Sequence, residues 1–306
     1  GWRLLIQVVF WILFTGLLTV LMFSIGPPIA PDDAILSARG AIAMLGATLA
    51  SVALAARFLD RRPLADFGLR FSPRWWEDFA FGLALGAILM TGVFLTQWTA
   101  GWIVVSDTLQ TVDASAPFAL AILSPFVAFV CVGIYEELLT RGYWLRNLAE
   151  GLNAPALGAR GAIIAAWVLS SVFFGLLHAT NPGSTVVSTF NLVIAGIFLG
   201  LGYVLTGQLA IPIGVHITWN FFQGNVYGFP VSGIQPARAT VISISQGGPD
   251  VWTGAEFGPE AGLIGLAAIA VGSLLTLLWV RSRHGRVALE TSLARPPRQA
   301  ASDAPN

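Results

Sequence analysis

The chain has 306 residues, of which 56% are hydrophobic and 10% charged, and its mean hydropathy is +0.75. Soluble domains carry about a quarter charged residues, so this composition excludes an ordinary soluble protein and indicates one that crosses a membrane several times. The formal net charge is zero, which leaves no electrostatic basis for a nucleic-acid partner. The single cysteine, Cys131, excludes a disulfide framework or a cysteine metal site.

Long apolar runs follow one another along the whole chain. A helix needs about 20 residues to cross the ~30 Å hydrocarbon core. Suitable runs lie at about residues 3–25, 38–59, 76–99, 117–140, 161–179, 186–205, 209–226 and 260–281. They predict an all-α fold, a polytopic transmembrane helical bundle of about eight spans. The first run is longer than a signal-peptide core, so we expect it to be retained as a span.

Clusters of arginine occur in alternate connections between these spans. They crowd residues 57–74, flank the connection after the fourth span at residues 141–160, and follow the last span at residues 281–286. The connections around residues 27–33 and 106–117 contain acids and no arginine. Because positive residues mark the cytoplasmic side, this alternation predicts that both termini are cytoplasmic.

The spans group into segments with different expected roles. Residues 1–116 contain three N-terminal spans, and residues 117–226 contain four spans that carry most of the intramembrane polar groups. Residues 227–259 are rich in Gly and Pro, and we expect a non-cytoplasmic loop folded over the membrane face. Residues 260–286 form the last transmembrane helix, and the polar residues 287–306 are expected to be a disordered tail.

Ionisable side chains inside a membrane cost several kcal/mol unless they are paired, so each is a candidate for function. Glu137 and Arg141 are four residues apart on one helix face, and this spacing favours a structural ion pair. Glu136 points about 100° away from Glu137 and cannot share that pair equally. It is therefore the spare carboxylate, which suits a general base. The alternative for Glu136 is a carboxylate solvated at the membrane interface.

Three further polar residues lie on later spans. His216 and Asn220 are four residues apart, and their N–H groups could stabilise an oxyanion or could make interhelical hydrogen bonds. At 1.5 Å per residue, Glu136 and His178 lie about 21 Å and about 27 Å from the turn that joins their helices, so they can meet. His216 begins only about two helical turns after its connection, and a short, tilted or kinked helix is needed to bring it to the same depth.

These residues form three motifs in order: E-E-x-x-x-R at 136–141, F-x-x-x-H at 174–178 and H-x-x-x-N at 216–220. Over about residues 117–226 the chain resembles the CPBP family, also called ABI, which includes type II CAAX prenyl endopeptidases and bacteriocin-processing proteins. The resemblance implies a glutamate-dependent intramembrane peptidase without a cofactor, in a prokaryotic plasma membrane, that cleaves a peptide or membrane-protein substrate. It also implies that Glu136 and His178 activate water, that His216 and Asn220 form the oxyanion hole, and that Glu137 and Arg141 brace the helix.

Two other interpretations keep these residues. Glu136, His178 and His216 could bind Zn²⁺ with an open position for water, although no H-E-x-x-H spacing occurs. Alternatively, the protein is not catalytic and acts as a bacteriocin-immunity-like factor, or as a scaffold or assembly subunit of a membrane complex. A transporter is disfavoured because the two halves of the chain contain no matching pair of interrupted helices.

Overall fold

The computed structural model describes residues 2–24, 37–112, 116–235 and 239–296. The helices are α1 (Trp2–Ser24), α2 (Ala38–Leu54), α3 (Pro73–Thr99), α4 (Phe118–Ala121), α5 (Leu123–Glu137), α6 (Arg146–Leu152), α7 (Gly158–Leu177), α8 (Val186–Thr206), α9 (Ala210–Phe221), α10 (Asp250–Thr253) and α11 (Leu263–His284). Strands β1 (Ile103–Thr111) and β2 (Ala239–Gln246) form one antiparallel sheet. π-helical segments occupy Ala55–Asp60, Leu138–Leu145 and Phe222–Val226. The predicted helical membrane bundle is confirmed, and the small sheet is an addition to it.

Seven helical segments in the described ranges are long and apolar enough to cross a membrane. The fourth has 35 residues, because α5 continues through the π-helical segment Leu138–Leu145 into α6. The predicted run 209–226 corresponds to α9 and the π-helical segment after it, which have only 12 and 5 residues. Nearly all of α9 is buried, so neighbouring helices cover this short element where a longer span would face lipid.

Glycines bring the neighbours of α9 close to its backbone. A methyl group on Gly82 of α3 would lie 2.6 Å from the carbonyl oxygen of Ile211. A methyl group on Gly133 of α5 would lie 2.6 Å from the side chain of Ile217. A larger residue at either position would therefore push the helices apart. Gly133 lies one turn before Glu137, so this contact sets the distance between the end of α5 and α9.

Connections that were expected on the same side of the membrane lie at the same end of the bundle. At one end, Arg3 pairs with Asp60 at 3.4 Å and Arg62 pairs with Glu150 at 2.7 Å. All four residues lie in or beside segments expected to be cytoplasmic. At the other end, β1 belongs to the connection after the third span and β2 to the loop 227–259. Both of these connections were expected on the non-cytoplasmic side.

Residues 287–296 fold back onto the expected cytoplasmic end of the bundle. The backbone N–H of Glu290 donates to the carbonyl oxygen of Val204 at 2.8 Å, and a short 3₁₀ turn, Thr291–Ala294, comes next. Leu293 and Ala294 are 1% and 0% exposed. The prediction of a disordered tail is therefore wrong for residues 287–296, because apolar side chains in this polar segment insert between helices. Residues 297–306 lie outside the described residues.

Replacing Leu293 with alanine should lower the free energy of unfolding by about 2–5 kcal/mol, because a fully buried side chain leaves a cavity. Val287→Ala is the matched control, since Val287 is 44% exposed, and it should change stability by about 0.5 kcal/mol or less. Thermal unfolding of both variants in the same detergent checks this. Equal melting temperatures would show that the packing of residues 287–296 contributes nothing.

Candidate active site

One partly open cavity of about 240 Å³ collects polar residues from all three motifs. Glu136, His178, His216 and Asn220 all line it, although they come from α5, the end of α7, and α9. Most of the remaining lining consists of aliphatic and aromatic side chains. The fold thus brings together residues that are up to 84 positions apart, from 136 to 220, in a mostly apolar space.

Glu137 is the centre of a buried network beside this cavity. Its Oε1 atom accepts a hydrogen bond from Arg141 Nη1 at 2.9 Å and another from His216 Nδ1 at 2.7 Å. The side chains of Glu137 and Arg141 are both 0% exposed. Arg141 also donates to Thr140 Oγ1 at 2.9 Å and to the carbonyl oxygen of Gly196 at 3.0 Å. The structure brings Glu137 and Arg141 together, and it adds His216 as a partner that spacing alone did not indicate.

This hydrogen bond orients the imidazole of His216. A carboxylate can only accept, so Nδ1 of His216 carries the hydrogen. The other nitrogen, Nε2, then faces Glu136, with 3.8 Å between Nε2 and Glu136 Oε2. Oε2 of Glu136 is buried and accepts no hydrogen bond from any described residue. His216 therefore reaches the depth of Glu136, and Glu136 retains an unpaired carboxylate oxygen.

Phe174 connects the histidines to the buried arginine. Its ring lies 4.4 Å from Cζ of Arg141, and its centroid is 4.8 Å from that of His178 and 6.1 Å from that of His216. Nδ1 of His178 donates to the carbonyl oxygen of Phe174 at 2.8 Å. Nε2 of His178 is therefore the nitrogen left for chemistry.

The pairing of the predicted residues differs in one respect from the expectation. Glu136 was expected to act beside His178, but within the described part of the chain no ion pair or hydrogen bond joins these two side chains. The imidazole within 4 Å of Glu136 belongs to His216. His178 and Asn220 share the cavity with this pair without a described contact to it.

Glu260 is a cavity residue that the sequence analysis did not identify. Its carboxylate is only 5% exposed and accepts hydrogen bonds at Oε2 from the backbone N–H of Ser232 at 2.7 Å and its hydroxyl at 3.2 Å. Burial raises the pKa of Glu260, and the hydrogen bonds from Ser232 oppose this rise. Glu260 lies at the predicted start of the last span, where charged groups are expected to be solvated. The signal that could have found it is an acid placed directly before an apolar run.

The fit of this cavity to a metal ion can be judged from its donor atoms. In the described ranges, no three His, Cys, Asp or Glu side chains lie close enough together to hold a metal ion. Nδ1 of His178 and Nδ1 of His216 are both engaged in hydrogen bonds, which leaves one nitrogen on each ring. The zinc alternative for Glu136, His178 and His216 therefore needs a rearrangement of these side chains, and it stays a prediction.

The fold and the site define a polytopic membrane protein that holds carboxylate, imidazole and carboxamide groups around a cavity inside its helices. Residues 118–222 match the family model described as type II CAAX prenyl endopeptidase Rce1-like. This match covers about a third of the chain, and for this part it confirms the resemblance to the CPBP family. The match ends just after α9 and includes every motif residue. Comparison with curated proteins and with solved structures gave no match.

Replacing Arg141 with glutamine should destabilise the protein by about 3–5 kcal/mol, because it leaves the buried carboxylate of Glu137 without its charged partner. Arg70→Gln is the matched control: Arg70 pairs with Asp66 at 2.7 Å, but its side chain is 65% exposed. Such an exposed pair contributes about 1 kcal/mol or less. Denaturant unfolding of both variants in one detergent measures the difference. Equal losses would contradict the view that the Glu137–Arg141 pair is a buried structural support.

Proposed function

We propose that the protein is a glutamate-dependent intramembrane endopeptidase that uses an activated water molecule. The observation that carries this proposal is the unpaired Oε2 of Glu136, which lies 3.8 Å from Nε2 of His216 in the cavity shared with His178 and Asn220. The Rce1-like match supports a membrane endopeptidase in general. Dependence on Glu136 and the choice of substrate are the parts that we add.

Glu136 serves as the general base in this mechanism. Its unpaired oxygen faces the cavity, where a carboxylate can accept a proton from water and later return it. Glu136 removes a proton from a water molecule, and the resulting hydroxide attacks the carbonyl carbon of the scissile peptide bond. The carbonyl π electrons move to oxygen, and a tetrahedral intermediate with a negatively charged oxygen forms.

His216 and Asn220 stabilise that oxygen. Asn220 donates from its carboxamide NH₂. His216 can donate from Nε2 only when both ring nitrogens carry hydrogen, because Nδ1 already donates to Glu137. The carboxylate of Glu137, braced by Arg141, compensates the positive charge of that imidazolium. Glu137 is thereby assigned a role in orienting His216 as well as in supporting the helix.

Cleavage is completed by returning the proton to the departing amine. When the tetrahedral intermediate collapses, the C–N bond breaks and the nitrogen takes the proton held by Glu136. His178 assists at the water or at the amine through Nε2, since its Nδ1 is occupied by the carbonyl oxygen of Phe174. The net reaction consumes one water molecule and yields a carboxyl and an amino terminus.

The substrate that we propose is a peptide or the terminus of a membrane protein, cleaved in a prokaryotic plasma membrane. Seven apolar helices in the described ranges and the family match support a multi-pass membrane protein. The mostly apolar lining of the cavity fits a peptide segment that leaves water in order to reach the site. A site of this kind also keeps bulk water away from the activated one.

Glu136→Gln should abolish cleavage, with a loss of about 10²–10⁴-fold, because an amide cannot accept the proton from water. Mass spectrometry of membrane-protein termini in cells with the wild-type or the Glu136→Gln chain gives the measurement. Glu77→Gln is the control, because Glu77 is a half-exposed carboxylate paired with Arg283 at the bundle surface. If the protein is a non-catalytic scaffold, the membrane-protein termini will be the same in all three strains. That result would contradict the peptidase proposal.

Metal dependence is tested on the purified wild-type protein. We expect the Glu136-dependent cleavage to persist after dialysis against a strong zinc chelator, with less than one zinc per chain by elemental analysis. The zinc alternative predicts stoichiometric metal and a loss of cleavage that added zinc restores. Glu136→Gln is expected to be inactive with or without a zinc requirement, so it gives the background level of cleavage.

A further inference from the structure

The outer wall of the cavity is a short turn that lies outside the three motifs. Residues 231–234 form it, with an isolated β-bridge between Val231 and Ile234. Val231, Ser232 and Ile234 line the cavity. Their neighbours Pro230 and Gln235 line a second, wider groove of about 930 Å³. The turn thus lines the cavity, and its neighbours on both sides line the groove.

The backbone of this turn is held in a conformation that it would not adopt freely. Ser232 has φ +48°, in the left-handed region that residues with a Cβ avoid. Gly233 comes next at φ +81°, and a methyl group there would lie 1.9 Å from the carbonyl oxygen of Pro182. Such a conformation persists only where surrounding contacts impose it.

The contacts that impose it come from three elements. Asn181, three residues after His178, donates to the carbonyl oxygen of Ser232 at 2.9 Å. Gly233 N–H donates to the carbonyl oxygen of Phe257 at 2.8 Å. Glu260 accepts from both the N–H and the hydroxyl of Ser232. The turn therefore ties the loop after His178 to the segment that leads into α11.

Glu260 is the strongest of these contacts. Its Oε2 atom accepts from two donors of one residue, whereas each of the others is a single hydrogen bond. The amide of Gln223, on the π-helical segment after α9, donates to the carbonyl oxygen of Pro230 at 2.6 Å, directly before the turn. Removal of the carboxylate would leave Ser232 N–H buried without an acceptor, in a backbone conformation that is already unfavourable.

We propose that Glu260 is a positioning residue of the active site, which through Ser232 holds the outer wall of the cavity and the loop after His178. This inference rests on the proposed peptidase function. It places a required residue 38 positions beyond the end of the family match at residue 222. Hydrogen bonding to Ser232 is the property that matters, so glutamine at this position should substitute for glutamate.

Hydrogen exchange on the full chain in lipid nanodiscs tests the contact itself. In Glu260→Ala, the amides of residues 231–235 should exchange about tenfold faster or more, because the turn loses its two-donor acceptor. Glu260→Gln keeps an oxygen acceptor and should stay near the wild-type rate. Glu256→Ala, a change of an exposed glutamate in the same loop, should also stay near that rate. Equal exchange in Glu260→Ala and the wild type would overturn the proposal, as would equal acceleration in Glu260→Ala and Glu260→Gln.

The yield of the Glu136-dependent termini tests the link to catalysis. Glu260→Ala should lower that yield about tenfold or more through misplacement of reacting groups, and Glu260→Gln should restore it. A simple folding defect would instead lower the amount of chain in the membrane, which is measured on the same samples. Faster exchange with undiminished yield would refute the positioning role. If wild-type and Glu136→Gln cells have identical membrane-protein termini, the proposed peptidase function is wrong. Hydrogen exchange alone then decides whether Glu260 holds residues 231–234 in place.

Discussion

The buried oxygen Oε1 of Glu137, which accepts from Arg141 and His216 at once, is the interaction on which the site depends. A carboxylate with 0% side-chain exposure is stable only when its charge is compensated within contact distance. Arg141 supplies that charge and also binds the carbonyl oxygen of Gly196, so one anion joins the end of α5 to α8 and α9. This buried anion therefore links three helices at one depth in the bundle.

The network also fixes how charge is distributed around the cavity. Arg141 and Glu137 compensate each other, and among the described residues no arginine pairs with Glu136. The unpaired oxygen of Glu136 is therefore open to a water molecule or to the imidazole that faces it. Glu136 is left without a guanidinium partner, because the guanidinium of Arg141 already pairs with Glu137.

Much of this arrangement is encoded locally and can be predicted from the sequence. Apolar runs predict the helices, and the four-residue spacing of Glu137 and Arg141 places both on one face. The meeting of His216 with Glu136 could not be predicted, since it depends on the burial of a 12-residue helix among longer ones. The burial of Leu293 could not be predicted either, because it depends on contacts with distant helices in a segment that locally resembles a tail. An acid directly before an apolar run marks Glu260 as a candidate, but its contact with Ser232 depends on the fold.

The π-helical segment Leu138–Leu145 divides the fourth span into two parts whose side chains are rotated relative to each other. A π turn contains about one residue more than an α turn, so the helix beyond it is rotated by roughly 100° relative to an uninterrupted helix. Glu137 and Arg141 are thereby directed toward α8 and α9, while Glu150, farther along, is directed toward Arg62. Substitutions that repack the part of the span after Leu145 can accumulate without turning Glu136 and Glu137 away from the cavity. Loss of a single residue between the halves would rotate one against the other, so the length of this stretch is more constrained than its composition.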